Sequence, residues 1–167
     1  MYKIMLADDE GIVIDSLKFI IEKEFGSRCE IRTAKTGRQV IELAEEFQPD
    51  IAFMDIQMPG INGIEAMREI RKFNSHVVFV VMTAYDKFDY AKEAISLGVL
   101  DYLNKPVSRD TIVDVLQKAM SNIDGERTKR RNDLRVREKL ETVVPIIENG
   151  LIQDLLFKEY FQEDIDN

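Results

Sequence analysis

Residues 51–60 read IAFMDIQMPG, which is four apolar residues, an aspartate and then a loop that contains proline and glycine. A run that is apolar at every position is typical of a strand in a parallel sheet that helices cover on both faces. The sequence therefore predicts a buried strand from Ile51 to Met54, with Asp55 at its carboxyl end.

Further runs of this kind lie on either side of that strand and alternate with segments of helical period. The five predicted strands are Lys3 to Ala7, Cys29 to Ala34, Ile51 to Met54, Val77 to Met82 and Asp101 to Leu103. Glycine or proline ends three of the predicted helices, at Gly26, Pro49 and Gly98, and Ser108 is a good N-cap for the fifth helix. This alternation predicts an α/β fold, a doubly wound five-stranded parallel sheet with a C-terminal helical extension.

The composition narrows the class of protein. The 167 residues are 45% apolar and 32% charged, as in a globular domain with an appendage, and the formal net charge is −8. An acidic chain is a poor match for nucleic-acid phosphates, and the single cysteine, Cys29, forms no internal disulfide. Apolar runs fall far short of the ~20 residues that cross a bilayer, and no signal peptide follows Met1. We therefore expect a cytoplasmic protein that does not associate with membranes.

Polar side chains follow the predicted strands at the points where the strands end. Asp8 and Asp9 follow the first strand, Asp55 the third, Thr83 the fourth and Lys105 the fifth. In an open parallel sheet these carboxyl ends form the ligand site, near the point where the strand order reverses. Three carboxylates at one edge repel one another unless a cation lies between them, and an all-oxygen ligand set favours Mg²⁺. The sequence thus predicts a divalent-metal site.

This set of residues suits phosphoryl transfer. A carboxylate is a nucleophile towards phosphorus once the charge on the transferred oxygens is neutralised. The metal, the ammonium of Lys105 and the hydroxyl of Thr83 would provide that neutralisation. Each residue alone has a simpler explanation, because strand-end Asp and Thr residues often form turns or caps and a lysine is commonly a solvated surface charge. The hypothesis depends on their joint position at one edge of the sheet.

Four segments, LADDE (residues 6–10), DIQMPGING (55–63), MTA (82–84) and DYLNKP (101–106), occur in this order. Together they resemble the motif set of bacterial response-regulator receiver domains, which are CheY-like domains of flavodoxin-like fold, over residues 1–123. The resemblance implies that Asp55 is the phosphorylation site and that a sensor histidine kinase supplies the phosphoryl group. The Mg²⁺ ligands that it implies are Asp9, Asp55 and the backbone carbonyl of Gln57, with Asp8 assisting through water. It further implies that Lys105 pairs with the phosphoryl oxygens and that the peptide bond before Pro106 is cis.

The resemblance also implies how phosphorylation changes the surface of the domain. Thr83 moves toward the phosphoryl group and Tyr102 turns inward, which remodels the face formed by the fourth helix, the fifth strand and the fifth helix. A new dianion attracts hydroxyl and ammonium donors and so biases a two-state packing. An ordinary strand aromatic with its hydroxyl in water is the alternative for Tyr102. Such a protein stores a phosphoryl group as a signal and is not a metabolic enzyme.

A second resemblance concerns the rest of the chain. The segments YDKFDYAKEA (85–94), REKL (137–140) and LIQDLLF (151–157) are similar to response regulators that carry an AraC-type DNA-binding domain after a linker helix. This similarity implies a receiver over residues 1–123 and a linker and dimerisation segment over residues 124–167. DNA would be bound only through an output domain that this chain does not contain. A stand-alone receiver that acts through protein–protein contacts is the alternative.

The predicted linker is a polar helix interrupted at Gly125. Seven basic and three acidic residues occupy the stretch from Glu126 to Lys139, a pattern that favours a solvated helix over contact with DNA or a partner. Apolar residues at spacings of four, three and four form a two-heptad seam, Val136, Leu140, Val143 and Ile147. Such a seam predicts homodimerisation on activation, although Pro145 would kink or shorten it.

Two other classes of protein share parts of this pattern. Phosphohydrolases of the haloacid dehalogenase type place a second aspartate two residues after the nucleophile and place their acidic pair last. Here Gln57 occupies that position and the pair Asp8-Asp9 comes first. A flavin-binding module of the same architecture needs a hydroxyl- and glycine-rich phosphate loop after the first strand, where these acidic residues would repel phosphate. Motif order excludes the first class and charge argues against the second.

Overall fold

The computed structural model describes residues 1–84 and 88–143. Its strands are β1 (Tyr2–Ala7), β2 (Cys29–Ala34), β3 (Ile51–Met54), β4 (Val78–Thr83) and β5 (Asp101–Asn104). Its helices are α1 (Gly11–Phe25), α2 (Gly37–Phe47), α3 (Gly63–Phe73), α4 (Phe88–Ser96) and α5 (Arg109–Val143), with a 3-10 turn, Gly26–Arg28, after α1. The strands form one parallel sheet in the order β2-β1-β3-β4-β5, which confirms the predicted doubly wound α/β fold.

The strand order reverses between β1 and β3, and the register brings the strand ends together there. Ala7 at the end of β1 pairs with Ala34 on one side and with Met54 on the other, so these three strands end level with one another. β4 continues to Thr83, which pairs with Asn104 at the end of β5. The residues that follow these strands therefore lie along one edge of the sheet.

Helices cover both faces of the sheet. On one face, α2, α3 and α4 pack against alternate strand residues in a single buried cluster, which includes Met5, Ala52, Met54, Val81, Val40, Met67, Ile70 and Ala94. Successive strand side chains point to opposite faces. The intervening strand residues Ile4, Leu6, Phe53 and Val80 are buried on the other face, as are Leu17 and Ile21 of α1 and Leu116 of α5. Burial on both sides explains why the central strands are apolar at every position.

The helices begin and end close to the predicted residues, and the local sequence explains why. Gly26 after α1 has a φ of 56°, a conformation that glycine adopts without steric cost. Gln48 after α2 adopts the left-handed conformation directly before Pro49. The hydroxyl of Ser108 accepts a hydrogen bond from the backbone N–H of Thr111 at 3.2 Å, as expected of an N-cap.

α5 runs through Gly125 without a break, so the predicted interruption there was wrong. A glycine in a helix costs about 1 kcal/mol relative to alanine, which the strong helix formers on its C-terminal side outweigh.

The chain divides into two compact units, Met1–Ser121 and Asn122–Asn167. In the second unit the described side chains of α5 are mostly exposed. The predicted seam beyond Val136 and the segment of residues 151–157 fall outside the side chains that the structure describes.

No helix within residues 1–84 and 88–143 has both the length and the hydropathy that a membrane-spanning helix requires.

Candidate functional site

The main chain fixes three of the predicted site residues against neighbouring strands. The backbone N–H of Asp8 donates to the carbonyl of Ala34 at 3.1 Å, and that of Asp55 donates to the carbonyl of Ala7 at 2.9 Å. The N–H of Lys105 donates to the carbonyl of Thr83 at 2.9 Å. The sheet ladder thus extends one step beyond the strands and carries these residues with it.

Lys105 connects the carboxylates at this edge. Its Nζ lies 2.6 Å from Oδ2 of Asp8, 3.4 Å from Oδ2 of Asp55 and 3.9 Å from Oε1 of Glu10. The side chain is only 12% exposed, and this burial acts to lower its pKa. The hydrogen bond to Asp8 and the surrounding negative charges outweigh burial, so the pKa of Lys105 is raised and the ammonium form is favoured.

Asp55 is a buried carboxylate with a strongly shifted acidity. Its pKa is raised to about 6, first because burial penalises the charged form and second because the charge of Asp8 repels it. The ammonium of Lys105 and a hydrogen bond from the backbone N–H of Gln57 offset part of this rise. A shifted carboxyl group in a charged cluster marks a candidate functional site.

Three consecutive acidic residues form the group most suited to a cation. Carboxylate oxygens of Asp8, Asp9 and Glu10 all lie within 4.8 Å of one another. The backbone N–H of Glu10 donates to Oδ1 of Asp8 at 2.9 Å, which holds the segment in a tight turn. Glu10 was not singled out from the sequence, although its place directly after the acidic pair was a usable signal. Asp55 lies outside this group, whereas the predicted ligand set included it.

A shallow cleft of about 300 Å³ adjoins the acidic group. Asp9, Gln57 and Asn62 line it together with Ile56, Met58 and Tyr90. The cleft therefore brings Asp9 and Gln57, two of the predicted metal ligands, to one surface. Its donors are oxygen atoms, which suit a hard divalent cation such as Mg²⁺.

The loop after Asp55 is held at its far end by α3. The side chain of Asn62 caps α3 by accepting from the backbone N–H of Glu65 at 2.9 Å, and the N–H of Gly63 donates to the carbonyl of Ile56 at 2.8 Å. A Cβ atom at Gly63 would overlap the carbonyl group of Asp55. Close backbone approach thus explains the glycine at this position, and it makes the conformation of Asp55 depend on the start of α3.

The two predicted switch residues differ in burial. Thr83 is fully buried at the end of β4, and the next residue, Ala84, is exposed. Tyr102 on β5 is half-buried and packs against the cluster that α2, α3 and α4 share. The bond between Lys105 and Pro106 is cis.

A known protein family matches most of this chain. The family model described as the response regulator receiver domain matches residues 4–117. This chain belongs to that family. It is the receiver domain of a two-component response regulator, and the matched region contains β2 to β5, α1 to α4 and most of β1.

Curated relatives of this receiver domain are longer proteins. The uncharacterized transcriptional regulatory protein YesN of Bacillus subtilis is 30% identical over 156 residues, which are 93% of this chain and 42% of that protein. The transcriptional regulatory protein HptR of Staphylococcus aureus is 31% identical over 134 residues, 80% of this chain and 52% of that protein. The chain therefore spans about half the length of the curated relatives it matches.

Solved structures agree with the receiver fold. The receiver domain of AraT, a response regulator from Geobacillus stearothermophilus, is 33% identical with a TM-score of 0.69 and covers 75% of this chain and 98% of that one. A CheY-like receiver from Methanospirillum hungatei is 24% identical with a TM-score of 0.68, covers 77% and 98% of the two chains, and supports the fold alone.

Proposed function

We propose that Asp55 accepts a phosphoryl group from a phosphohistidine of a sensor histidine kinase. The observation that carries the proposal is the position of the Lys105 ammonium, 3.4 Å from Asp55 and 2.6 Å from Asp8. A cation beside the acceptor oxygen favours the charge of an incoming phosphoryl group. An Asp55 oxygen forms the new bond to phosphorus, the bond from phosphorus to the donor nitrogen breaks, and its electron pair stays on the imidazole.

Among the neighbouring carboxylates, Asp55 is the one suited to be the nucleophile. Both oxygens of Asp8 already have partners, since Oδ2 accepts from Lys105 and Oδ1 from the N–H of Glu10. Asp9 and Glu10 are exposed. Asp55 is buried beside a cation that does not yet hold it at the 2.7–2.9 Å typical of a charge-assisted hydrogen bond. Its raised pKa also makes the oxygen more basic than that of an ordinary aspartate.

The donors at this edge fit Mg²⁺. Within the described part of the chain, three carboxylates lie within 4 Å of the ammonium of Lys105, and Asp9 lies close to two of them, so the site carries excess negative charge. The residues proposed to hold the ion are Asp8, Asp9, Asp55 and the backbone carbonyl of Gln57. When bound, the ion would neutralise charge on the phosphoryl oxygens. Lys105 supplies the same kind of neutralisation from the protein itself.

Phosphorylation is proposed to act through Thr83 and Tyr102 on the surface of α4, β5 and α5. Thr83 ends β4 next to β5, and Tyr102 lies on β5, so the two residues belong to adjacent strands. We propose residues 1–123 as the phosphoacceptor domain and 124–167 as the linker to an output domain of AraC type outside this chain. Homodimerisation and control of transcription in the cytoplasm belong to the same proposal, which is supported by relatives named as transcriptional regulators.

Intact mass spectrometry tests the acceptor. The chain is incubated with acetyl phosphate and Mg²⁺, and the wild type is expected to gain one phosphoryl group, whereas Asp55→Asn gains none. Asp114→Asn, on an exposed position of α5, is the matched control and keeps the gain. Chelation of Mg²⁺ is expected to slow the reaction. A phosphoryl group that persists in Asp55→Asn would refute the assignment.

A further inference from the structure

A second cavity, of about 470 Å³, lies between α1 and the loop that joins β5 to α5. Its apolar walls include Ile12, Val13 and Ile20 on α1 and Pro106, Val107 and Ile112 on the opposite side. Cavities of this volume with mostly apolar walls and a few polar groups are typical of small-molecule sites. Ile12, one of the lining residues, is 75% exposed, so this wall is accessible from solvent.

The cavity opens next to the candidate phosphoacceptor. Lys105 and Ala84 line it, and the Nζ of Lys105 lies 3.4 Å from Oδ2 of Asp55. Glu10 and Ser16 are further polar residues of its lining. An occupant with one anionic end and one apolar end would match this arrangement, because its anion would meet Lys105 and its apolar part would meet the walls.

We propose that this cavity binds the acyl group of small acyl phosphates with chains longer than acetyl, and so sets the receiver's preference among small phosphodonors. The inference rests on Asp55 being the phosphoacceptor. The phosphoryl dianion is complementary to the ammonium of Lys105, and the alkyl chain to the apolar walls. An Asp55 carboxylate oxygen bonds to phosphorus, the bond from phosphorus to the acyl oxygen breaks, and the electron pair leaves with the released carboxylate.

Acetyl phosphate and n-butyryl phosphate provide a matched pair of probes. Their leaving groups are carboxylates of nearly equal basicity, so their intrinsic reactivity is similar, and they differ by two methylene groups. Each fully buried methylene improves binding roughly fourfold. We therefore expect butyryl phosphate to modify Asp55 about tenfold faster than acetyl phosphate at equal, subsaturating concentration.

Substitutions in the cavity test where this preference arises. Ser16→Phe places a ring in the cavity, and Val107→Ala removes part of its wall. Both are expected to lower the ratio of the butyryl rate to the acetyl rate, the first toward unity. Glu22→Phe introduces the same ring at an exposed position of α1 that does not line the cavity, and it is expected to keep the wild-type ratio.

The rates are measured by intact mass on the full chain with Mg²⁺, alongside circular dichroism of each variant. Equal rates for the two donors in the wild type, with Asp55 modified by both, would overturn this inference and leave the phosphoacceptor assignment intact. The same holds if the preference survives in both Ser16→Phe and Val107→Ala. If neither donor modifies Asp55, the phosphoacceptor assignment itself fails, and the inference fails with it.

Discussion

At the scale of single residues, the site is a set of charges that the fold holds together at a cost. Folding raises the pKa of Asp55 to about 6, from roughly 3.9 in an unfolded chain. The folded protein thus binds this proton more tightly than the unfolded chain does. The stabilising effect of the proton is fully present below about pH 4 and is lost as the pH rises through 6.

Asp55→Asn should therefore stabilise the metal-free protein at neutral pH. The neutral amide avoids burial of a charge next to Asp8, and we expect the free energy of unfolding to rise by about 1 to 2 kcal/mol at about pH 7.5. At about pH 4.5 most of this gain should disappear, because the wild-type carboxyl group is then protonated in the folded state. Urea denaturation in the presence of a chelator at both pH values measures the difference. Asp114→Asn should show the same small effect at both, and a gain for Asp55→Asn that grows toward acid pH would contradict the prediction.

Gly63 should be difficult to replace, because its neighbour is the backbone of Asp55 itself. An added Cβ would overlap the backbone carbonyl of Asp55, so Gly63→Ala must displace either the start of α3 or the acceptor loop. We expect a loss of about 1 to 3 kcal/mol of stability and slower modification of Asp55 by acetyl phosphate. Gly125→Ala is the matched control, since open space surrounds that position in α5 and alanine is the better helix former. Unchanged modification rates in Gly63→Ala would show that the loop tolerates the shift.

At the scale of elements, the strands were well predicted from the sequence, because a strand that is buried on both faces is apolar at every position. Ile51 to Met54 and Cys29 to Ala34 match β3 and β2 residue for residue. β1 and β5 each extend one residue beyond the predicted strand at one end, and β4 is displaced by one residue. The prediction of a break at Gly125 was wrong because the cost of one glycine, about 1 kcal/mol, does not determine whether a long helix continues. Glu10 was overlooked although it directly follows the acidic pair. Arg71 escaped notice because only the tertiary structure brings it to Leu97 and the ring of Phe79.

The side chain of Arg71, near the end of α3, forms hydrogen bonds to residues directly after α4 and directly before β4. Its guanidinium donates to the carbonyl oxygens of Val77 at 2.6 Å, Ser75 at 3.0 Å and Leu97 at 3.1 Å. It also lies 4.6 Å from the centre of the Phe79 ring, and burial lowers its pKa. This arrangement makes the arginine part of the packing between two layers, and its planar fork suits several carbonyl acceptors at once.

Arg71→Met should accordingly destabilise the receiver by about 2 to 3 kcal/mol, because several partly buried carbonyl groups lose their donor. Arg38→Met is the matched control. Arg38 is highly exposed and pairs with Glu42 one helical turn away, so its loss should cost under about 0.5 kcal/mol. Thermal or urea denaturation compares the two variants. Equal effects would indicate that the contacts of Arg71 contribute no more than a surface ion pair.

At the scale of the whole molecule, the candidate phosphoacceptor site and the proposed linker lie in different parts of the chain. The carboxyl edge of the sheet belongs to the unit Met1–Ser121, whereas the basic stretch of α5 belongs to the unit Asn122–Asn167. The receiver motifs were recognisable from sequence because they place particular residue types at the strand ends. The proposed association of two chains would depend instead on apolar spacing in a helix, a signal with few constraints on residue identity.

The full chain should dimerise when Asp55 carries a phosphoryl group or a beryllofluoride mimic. The seam of Val136, Leu140, Val143 and Ile147 spans only two heptads, so it should give a weak dimer that a second contact on the α4, β5 and α5 surface would strengthen. Sedimentation velocity with and without beryllofluoride measures the shift. Val136→Asp should abolish dimerisation, because it places a charge on the seam. Leu134→Asp is the matched control, since Leu134 is already 54% exposed and lies off the seam, and it should leave the dimer intact. A wild type that stays monomeric at high concentration in both states would contradict the role of the seam, whereas equal losses in the two variants would place the contact elsewhere on α5.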